Sequence, residues 1–215
     1  LANEYRDMLA PDEEVEANPQ DYFERVVDID LSKLEPNVVG PHSPDRARPI
    51  SQLAAEVADG LLVMPFHSER HFRERTLVAV AEGLETSGRD RIDIFPQAIV
   101  AMGTTPEEIE AASVGVRGLL AFYGSTPAYR SVLEIEGRGD LQPELNALSK
   151  TGAIMEMIAK VDERMLATLA VRGTPEECAA ELHRRFGDLT DRVCTYFPGY
   201  DPGSDAIRDL VAALR

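Results

Sequence analysis

Tryptophan is absent from the 215 residues, and only two cysteines occur, Cys178 and Cys194. Both fall where the local pattern reads as the core-facing side of a regular element. They suggest neither a disulfide framework nor a metal ribbon, and a reducing cytoplasm is the compartment expected. Basic charge is also scarce: 22 Lys and Arg stand against 38 Asp and Glu, a formal net charge of −16. That balance repels phosphate backbones and anionic membrane surfaces. The only compact basic motif, Asp45-Arg46-Ala47-Arg48, is too small to reverse it, so neither a nucleic-acid nor a membrane partner is expected. No apolar run approaches the roughly 18 residues of a membrane span. The polar start, Leu1-Ala2-Asn3-Glu4, is no signal peptide, and without an initiator Met it reads as a trimmed or partial chain. A Gly-rich nucleotide loop and an ordered Ser/His/Asp set are missing too.

What is present is an ordinary globular composition, with 44% hydrophobic residues and enough length for one large domain or two small ones. The most informative stretch is 49–68. Ile50, Leu53, Ala54 and Val57 recur at one-face helical spacing, Pro49 suits a first helical turn, and Gly60 sits where a helix ends. Leu61-Leu62-Val63-Met64 follows as an all-apolar run, the pattern of a strand buried on both faces. A helix passing into a parallel strand is an α/β unit.

Residues 1–48 read as a separate leader. Short acidic helices are expected at 4–9 and 11–17, the second stopped by Asn18-Pro19, and a strand with one solvated face at 26–31. Four prolines and a glycine make 35–49 an irregular loop. Beyond the opening unit, the pattern predicts a helix at 68–87 ended by Gly88. A strand at 91–102 follows, weakened by Pro96, then a helix from the capping box Thr105-Pro106-Glu107-Glu108 to Tyr123. A turn at 124–127, an irregular piece at 134–140 and a helix at 142–150 come next. One long amphipathic helix should then carry Ile154, Met157, Ile158, Val161, Met165 and Leu169 on one face, a Met-rich stripe of core type. A second capping box, Thr174-Pro175-Glu176-Glu177, opens a helix with Cys178, Leu182 and Phe186 inward. A last strand at 191–197 and a last helix at 205–214 close the chain.

Two resemblances emerge. The run DLSKLEPNVVGPHSPDRARPI, within about residues 10–56, resembles aconitase, although the cysteines that hold that family's iron–sulfur cluster have no counterpart here. From about Leu53 onward the runs LAAEVADGLLVMPFHSERHFRE, GLLAFYGSTPAYRSVL, GDLQPEL and VRGTPEE resemble the luciferase-like monooxygenase family, in particular its members that use the deazaflavin coenzyme F420. The likeness is to the C-terminal half of that family's (β/α)8 barrel. The implied fold class is therefore α/β: an incomplete TIM-barrel-like half with extra helices over 49–215, preceded by an irregular leader, 1–48. The implied activity is hydride transfer between reduced deazaflavin, F420 or else FMN, and an organic small-molecule substrate. Two sheet edges left open by a half barrel also favour a homo-oligomer. The alternatives are a non-catalytic fusion or oligomerising module and a hydro-lyase fragment of aconitase type.

In such a barrel the reactive groups follow the strand C-termini. His67 and Ser68, after the first buried strand, and Thr104, after the second, are the candidate cofactor-binding residues, able to bond a phosphate or ring carbonyl. Equally, Ser68 caps a helix and His67 is a solvated loop residue. Tyr123, Ser125 and Tyr129 are the candidate substrate-binding residues, unless the tyrosines simply pack closing helices. His67 and His71 share zinc spacing but lack the Glu placement and a third ligand, so no metal is expected. No catalytic residue is identified by the sequence, and His183 reads as solvated.

Overall fold

The computed structural model describes residues 13–23, 37–39, 47–190 and 192–215. The chain divides into two compact units, 1–33 and 34–215. In the first, α1 (Glu13–Ala17) leads into a 3-10 turn, Pro19–Asp21, and Asn18 donates its N–H to the Glu14 carbonyl at 3.1 Å. The helix ends where Asn18-Pro19 predicts. The expected helix at 4–9 and strand at 26–31 lie outside the described residues.

The second unit has an antiparallel pair, β1 (Asn37–Val39) with β2 (Ala47–Pro49), in the stretch expected to be an irregular, largely extended loop. Pro49 closes β2 opposite Asn37, at a strand end where its missing N–H breaks no ladder, and α2 (Ile50–Val57) starts one residue later. Next come β3 (Gly60–Val63), the single turn α3 (Glu69–His71), a π-helical stretch Phe72–Thr76, and α4 (Leu77–Ser87), capped by Gly88 at φ +67°. The predicted helix at 68–87 is thus real but carries a π-helical interruption. β4 (Asp93–Met102), α5 (Pro106–Gly124), α6 (Arg130–Ile135), α7 (Leu141–Thr151), α8 (Ile154–Ala159) and α9 (Glu163–Leu169) follow. The chain closes with β5 (Ala170–Gly173), α10 (Pro175–Phe186), β6 (Cys194–Tyr196) and α11 (Ser204–Ala213).

The long helix expected from Ile154 to Leu169 is broken in two. Asp162 takes extended backbone and accepts the Met165 N–H at 2.8 Å, an N-cap that starts a new helix, and it also pairs with Arg138. Most of the expected stripe survives the break, since Met157, Val161, Met165 and Leu169 are buried and Ile158 is half-buried, but Ile154, at the first turn of α8, is exposed. Cys178 is buried as expected, and burial pushes its thiol up to about 12. Cys194, expected to face the core, is exposed: along β6 the side carrying Cys194 and Tyr196 is open, and only Thr195 between them is half-buried.

All four strands β3 to β6 are parallel, and β4 is the hub. β3 pairs along its first residues, Gly60 with Asp93 through Val63 with Pro96, and β5 along its last, Ile99 with Ala170 through Met102 with Gly173. Ile99 is also paired with Tyr196, so β5 and β6 lie on opposite edges of β4. Pro96 is tolerated because it pairs with Val63, the last residue of β3. This is the mixed α/β, TIM-barrel-like architecture expected from the sequence.

The period of two along β4 sorts its residues between two cores. Ile94, Ala98, Val100 and Met102 join Leu61, Val63 and Val171 against Phe72, Val80, Leu182, Phe186 and Leu210. Ile99 and Ala101, with Ala170, face the other way, against Val116, Leu120, Leu133, Leu145, Met157 and Leu166 from α5 to α9. Each fully buried Leu here contributes about 1.5–3 kcal/mol, so the second cluster fastens the long 106–169 excursion onto the sheet.

Beyond β6 the edge of β4 is finished by a side chain. The Tyr200 hydroxyl accepts the Met102 N–H at 2.8 Å and donates to the Val100 carbonyl at 3.0 Å, standing in for a peptide group of a longer strand. The loop that carries it reaches α5 at Gly115, where a Cβ would lie 2.3 Å from the Pro198 carbonyl oxygen. Tyr200→Phe should therefore lose about 1–3 kcal/mol of stability by orphaning two buried backbone groups. The urea midpoint should fall with an unchanged m-value, and an unmoved midpoint would show that water replaces the hydroxyl.

Candidate functional site at the strand C-termini

Because β3 to β6 run parallel, their C-terminal loops gather at one end of the sheet. The loop after β3 turns inward. Phe66, His67 and Ser68 are buried. His67 places Nε2 3.2 Å from the Gln97 carbonyl, which assigns the Nε2–H tautomer, and its ring lies 5.5 Å from Phe72 and 5.9 Å from Phe186. Nδ1 is buried without a partner. Burial pushes the imidazole down to about 4. The backbone of Ser68 nearby and the Gln97 carbonyl oppose that shift, and the charges of His71 and Arg185 add to it. The solvated alternative for His67 is excluded.

Ser68 caps α3, accepting the His71 N–H at 3.0 Å, and donates to Glu136 Oε1 at 2.6 Å. Arg70 donates to the Ile135 carbonyl at 2.7 Å, so the loop is tied to the end of α6 by two bonds. Arg185, from the last turn of α10, closes the opposite side. Its buried guanidinium donates to the carbonyls of Ala167 at 2.8 Å, Thr168 at 3.3 Å and Ala170 at 3.0 Å, and to Glu181 Oε1 at 2.7 Å. Sequence reasoning missed Arg185, Glu136 and Gln97. Only Arg185 left a signal, as a cation at a helix C-terminus, and its neighbours His183 and Arg184 are indeed exposed.

Thr104 lies apart from this cluster, exposed at the end of β4. Its N–H and hydroxyl both donate to Glu108 Oε2, at 2.7 and 2.6 Å, and those bonds hold the Glu108 carboxyl below its usual range. Thr105 accepts the Glu108 N–H, so the predicted capping box is present but reaches back one residue further than expected. At the end of β5, Glu177 and Thr174 form the predicted box in full, and the Gly103 N–H donates to the Gly173 carbonyl at 3.2 Å. Two helix N-termini thus stand side by side, with the Thr104 and Thr174 N–H groups that precede them already on carboxylates. An incoming phosphate would have to displace them.

Tyr123 and Tyr129 come together around Phe66. Their rings are 5.7 Å apart, edge to face, and each is 5.8 Å from the Phe66 ring. Both are half-buried. The Tyr123 phenol is shifted up by burial, then by Tyr196 and Tyr129 beside it. Ser125 is turned inside instead: its hydroxyl donates to the Phe122 carbonyl at 2.7 Å, while its own carbonyl accepts from Gln142 and Asn146.

One cavity lies beside His67, Gln97 and Arg185, and another between Leu133, Arg164 and Leu169. Each has a volume of about 10 Å³. That is room for about one water, whereas a ring-sized ligand needs a few hundred Å³. No group of three metal-ligating side chains occurs among the described residues, nor does any described helix have the length and apolarity to cross a membrane.

Comparison with known proteins bears on this architecture. Uncharacterized protein Rv1360 of Mycobacterium tuberculosis and uncharacterized protein Mb1395 of Mycobacterium bovis are each 42% identical to the chain over 150 residues, covering 69% of it and 44% of the relative. The chain spans less than half the length of these curated relatives. Among solved structures, the F420-dependent tetrahydromethanopterin reductase of Methanopyrus kandleri superposes with a TM-score of 0.62 at 20% identity, over 77% of this chain and 48% of that one. An F420-dependent secondary alcohol dehydrogenase, bound to an F420–acetone adduct, gives 0.51 at 16% identity, over 77% and 46%. Those identities speak for the fold. Luciferase-like monooxygenase sequences match residues 8–192, a span that takes in the whole stretch resembling aconitase, and the aconitase likeness finds no support in these comparisons. With four parallel strands in place and the match running through three of them, the chain belongs to the luciferase-like monooxygenase family.

Proposed function

We propose that the chain serves an oxidoreductase of the F420- or FMN-dependent kind and supplies one wall of the coenzyme and substrate site. The reaction class is hydride transfer with an organic small molecule. The observation that carries this reading is the family match over residues 8–192, and the two solved neighbours, both F420-dependent enzymes, support it.

Among the described residues, the candidates named above do not make a closed coenzyme site. His67, Ser68 and Thr104 spend their donors internally, Ser125 faces inward, and the cavities hold a water at most. Tyr123 and Tyr129 keep partly open aromatic surface against which a ring can stack.

One wall without its opposite gives weak binding. Titrating the purified chain into F420, and separately into FMN, should change the coenzyme fluorescence with a Kd on the order of 100 μM, weakened by Tyr123→Ala. No saturable change up to about 1 mM would overturn the proposal. It would favour the second reading, a non-catalytic module, for which the internally engaged donors at Ser68 and Thr104 already speak.

A further inference from the structure

The aromatic cluster around Phe66 has a third tyrosine. Tyr196, the last residue of β6, is paired with Ile99 and so stands on the sheet face that carries it, the face against which Phe66, Tyr123 and Tyr129 pack. It is 41% exposed, and it is close enough to Tyr123 to help push that phenol up. Three of the six tyrosines of the chain therefore meet at one place, beside a buried phenylalanine. None of their three hydroxyls has a hydrogen-bond partner among the described residues, whereas Tyr200, packed against the same core, uses its hydroxyl twice.

The groups that ordinarily hold a phosphate are engaged elsewhere. The Thr104 and Thr174 N–H groups, before α5 and α10, are on Glu108 and Glu177, and the Ser68 hydroxyl is on Glu136. Arg130, next in sequence to Tyr129, is paired with Glu134 at 2.8 Å. A phosphate dianion also meets a chain whose net charge is −16.

We propose that Tyr123, Tyr129 and Tyr196 form a subsite for a planar heterocycle with carbonyl oxygens along its edge, and that this subsite recognises the ring without its phosphate tail. The proposal rests on the coenzyme reading above and narrows it to the part of the coenzyme that this wall holds. Tyrosine rings supply an apolar face and a polar tip together. The face stacks on the heterocycle, and the free phenol O–H groups donate to its carbonyls. Burial keeps the Tyr123 phenol protonated, as a donor must be.

Riboflavin is FMN without its phosphate, so the two separate ring from tail. Titrated with the full chain and followed by flavin fluorescence, riboflavin should bind several-fold more tightly than FMN at low ionic strength. The gap should close to within about twofold at about 0.5 M salt, where charges more than a few Å apart are screened. That comparison needs no variant to fold. Tyr196→Phe keeps the ring and removes the donor, and it should weaken riboflavin binding about three- to tenfold, the worth of one hydrogen bond, with the urea midpoint unmoved. Tighter binding of FMN than of riboflavin, or a Tyr196→Phe variant that binds riboflavin as the unaltered chain does, would overturn the subsite and leave the coenzyme reading standing. Absence of binding by both flavins would overturn the two together.

Discussion

Arg185→Met should destabilise the protein by about 3–5 kcal/mol, the loss typical of a buried charge network with one partner removed. Arg185 is only 7% exposed, and its guanidinium satisfies three carbonyls at the junction of α9 and β5, where a helix end would otherwise leave its last acceptors bare. Methionine keeps most of the stem's volume, so the change isolates the lost donors from a lost contact. The Glu181 carboxylate, held down at about 2 chiefly by Arg184 and also by Arg185, retains its exposed partner and stays charged. Arg185→Lys should recover only part of the loss, since one ammonium cannot present the guanidinium fork. Urea denaturation reads the difference. A drop of less than about 1 kcal/mol in the methionine variant would mean that water serves those carbonyls as well as the arginine does.

Stability should also fall as pH is lowered from 6.5 toward 4, by up to about 3 kcal/mol from His67 alone. The imidazole titrates at 6.5 in the unfolded chain and at about 4 in the folded one. Between those values the unfolded state binds the extra proton, so its population gains as acid is added. The contribution is therefore whole above 6.5 and gone below about 4. His71, also shifted down by burial, acts in the same direction. Glu181 adds its own loss lower, as pH falls from 4.5 through about 2. His67→Gln preserves a donor for the Gln97 carbonyl and removes the titration. Its stability curve between pH 6.5 and 5 should be flatter than that of the unaltered chain, and parallel curves would contradict the assignment.

Local signals carried much of the fold. The apolar run Leu61–Met64 is β3 but for its last residue, the Thr-Pro-Glu-Glu starts at 105 and 174 open α5 and α10, and Gly88 ends α4 with positive φ. What was illegible depends on partners distant in sequence. Nothing before Asp162 announces that its carboxylate will cap a new helix and meet Arg138, and an unbroken Met-rich period conceals the break. Cys194 has the pattern of a core residue and becomes exposed because the face it points to is left uncovered. The candidate site divides in the same way. Ser68 as a cap follows from its place before a helix, but its bond to Glu136, 68 residues on, does not. Tyr123 and Tyr129 were legible as aromatic neighbours of a turn. Phe66, which joins them, is brought there only by the inward turn of the loop after β3.

The account turns on β4 as the hub of a parallel sheet whose two faces meet different cores. Nuclear Overhauser contacts from Ile99 of the isotopically labelled chain test this most directly. The account predicts contacts from the Ile99 backbone to Ala170 on one side and Tyr196 on the other, both in parallel register, with its side chain contacting the helices of 106–169 and Val100 contacting those of 69–87 and 175–186. An antiparallel pattern at either neighbour, or Ile99 and Val100 both contacting the same helices, would contradict it.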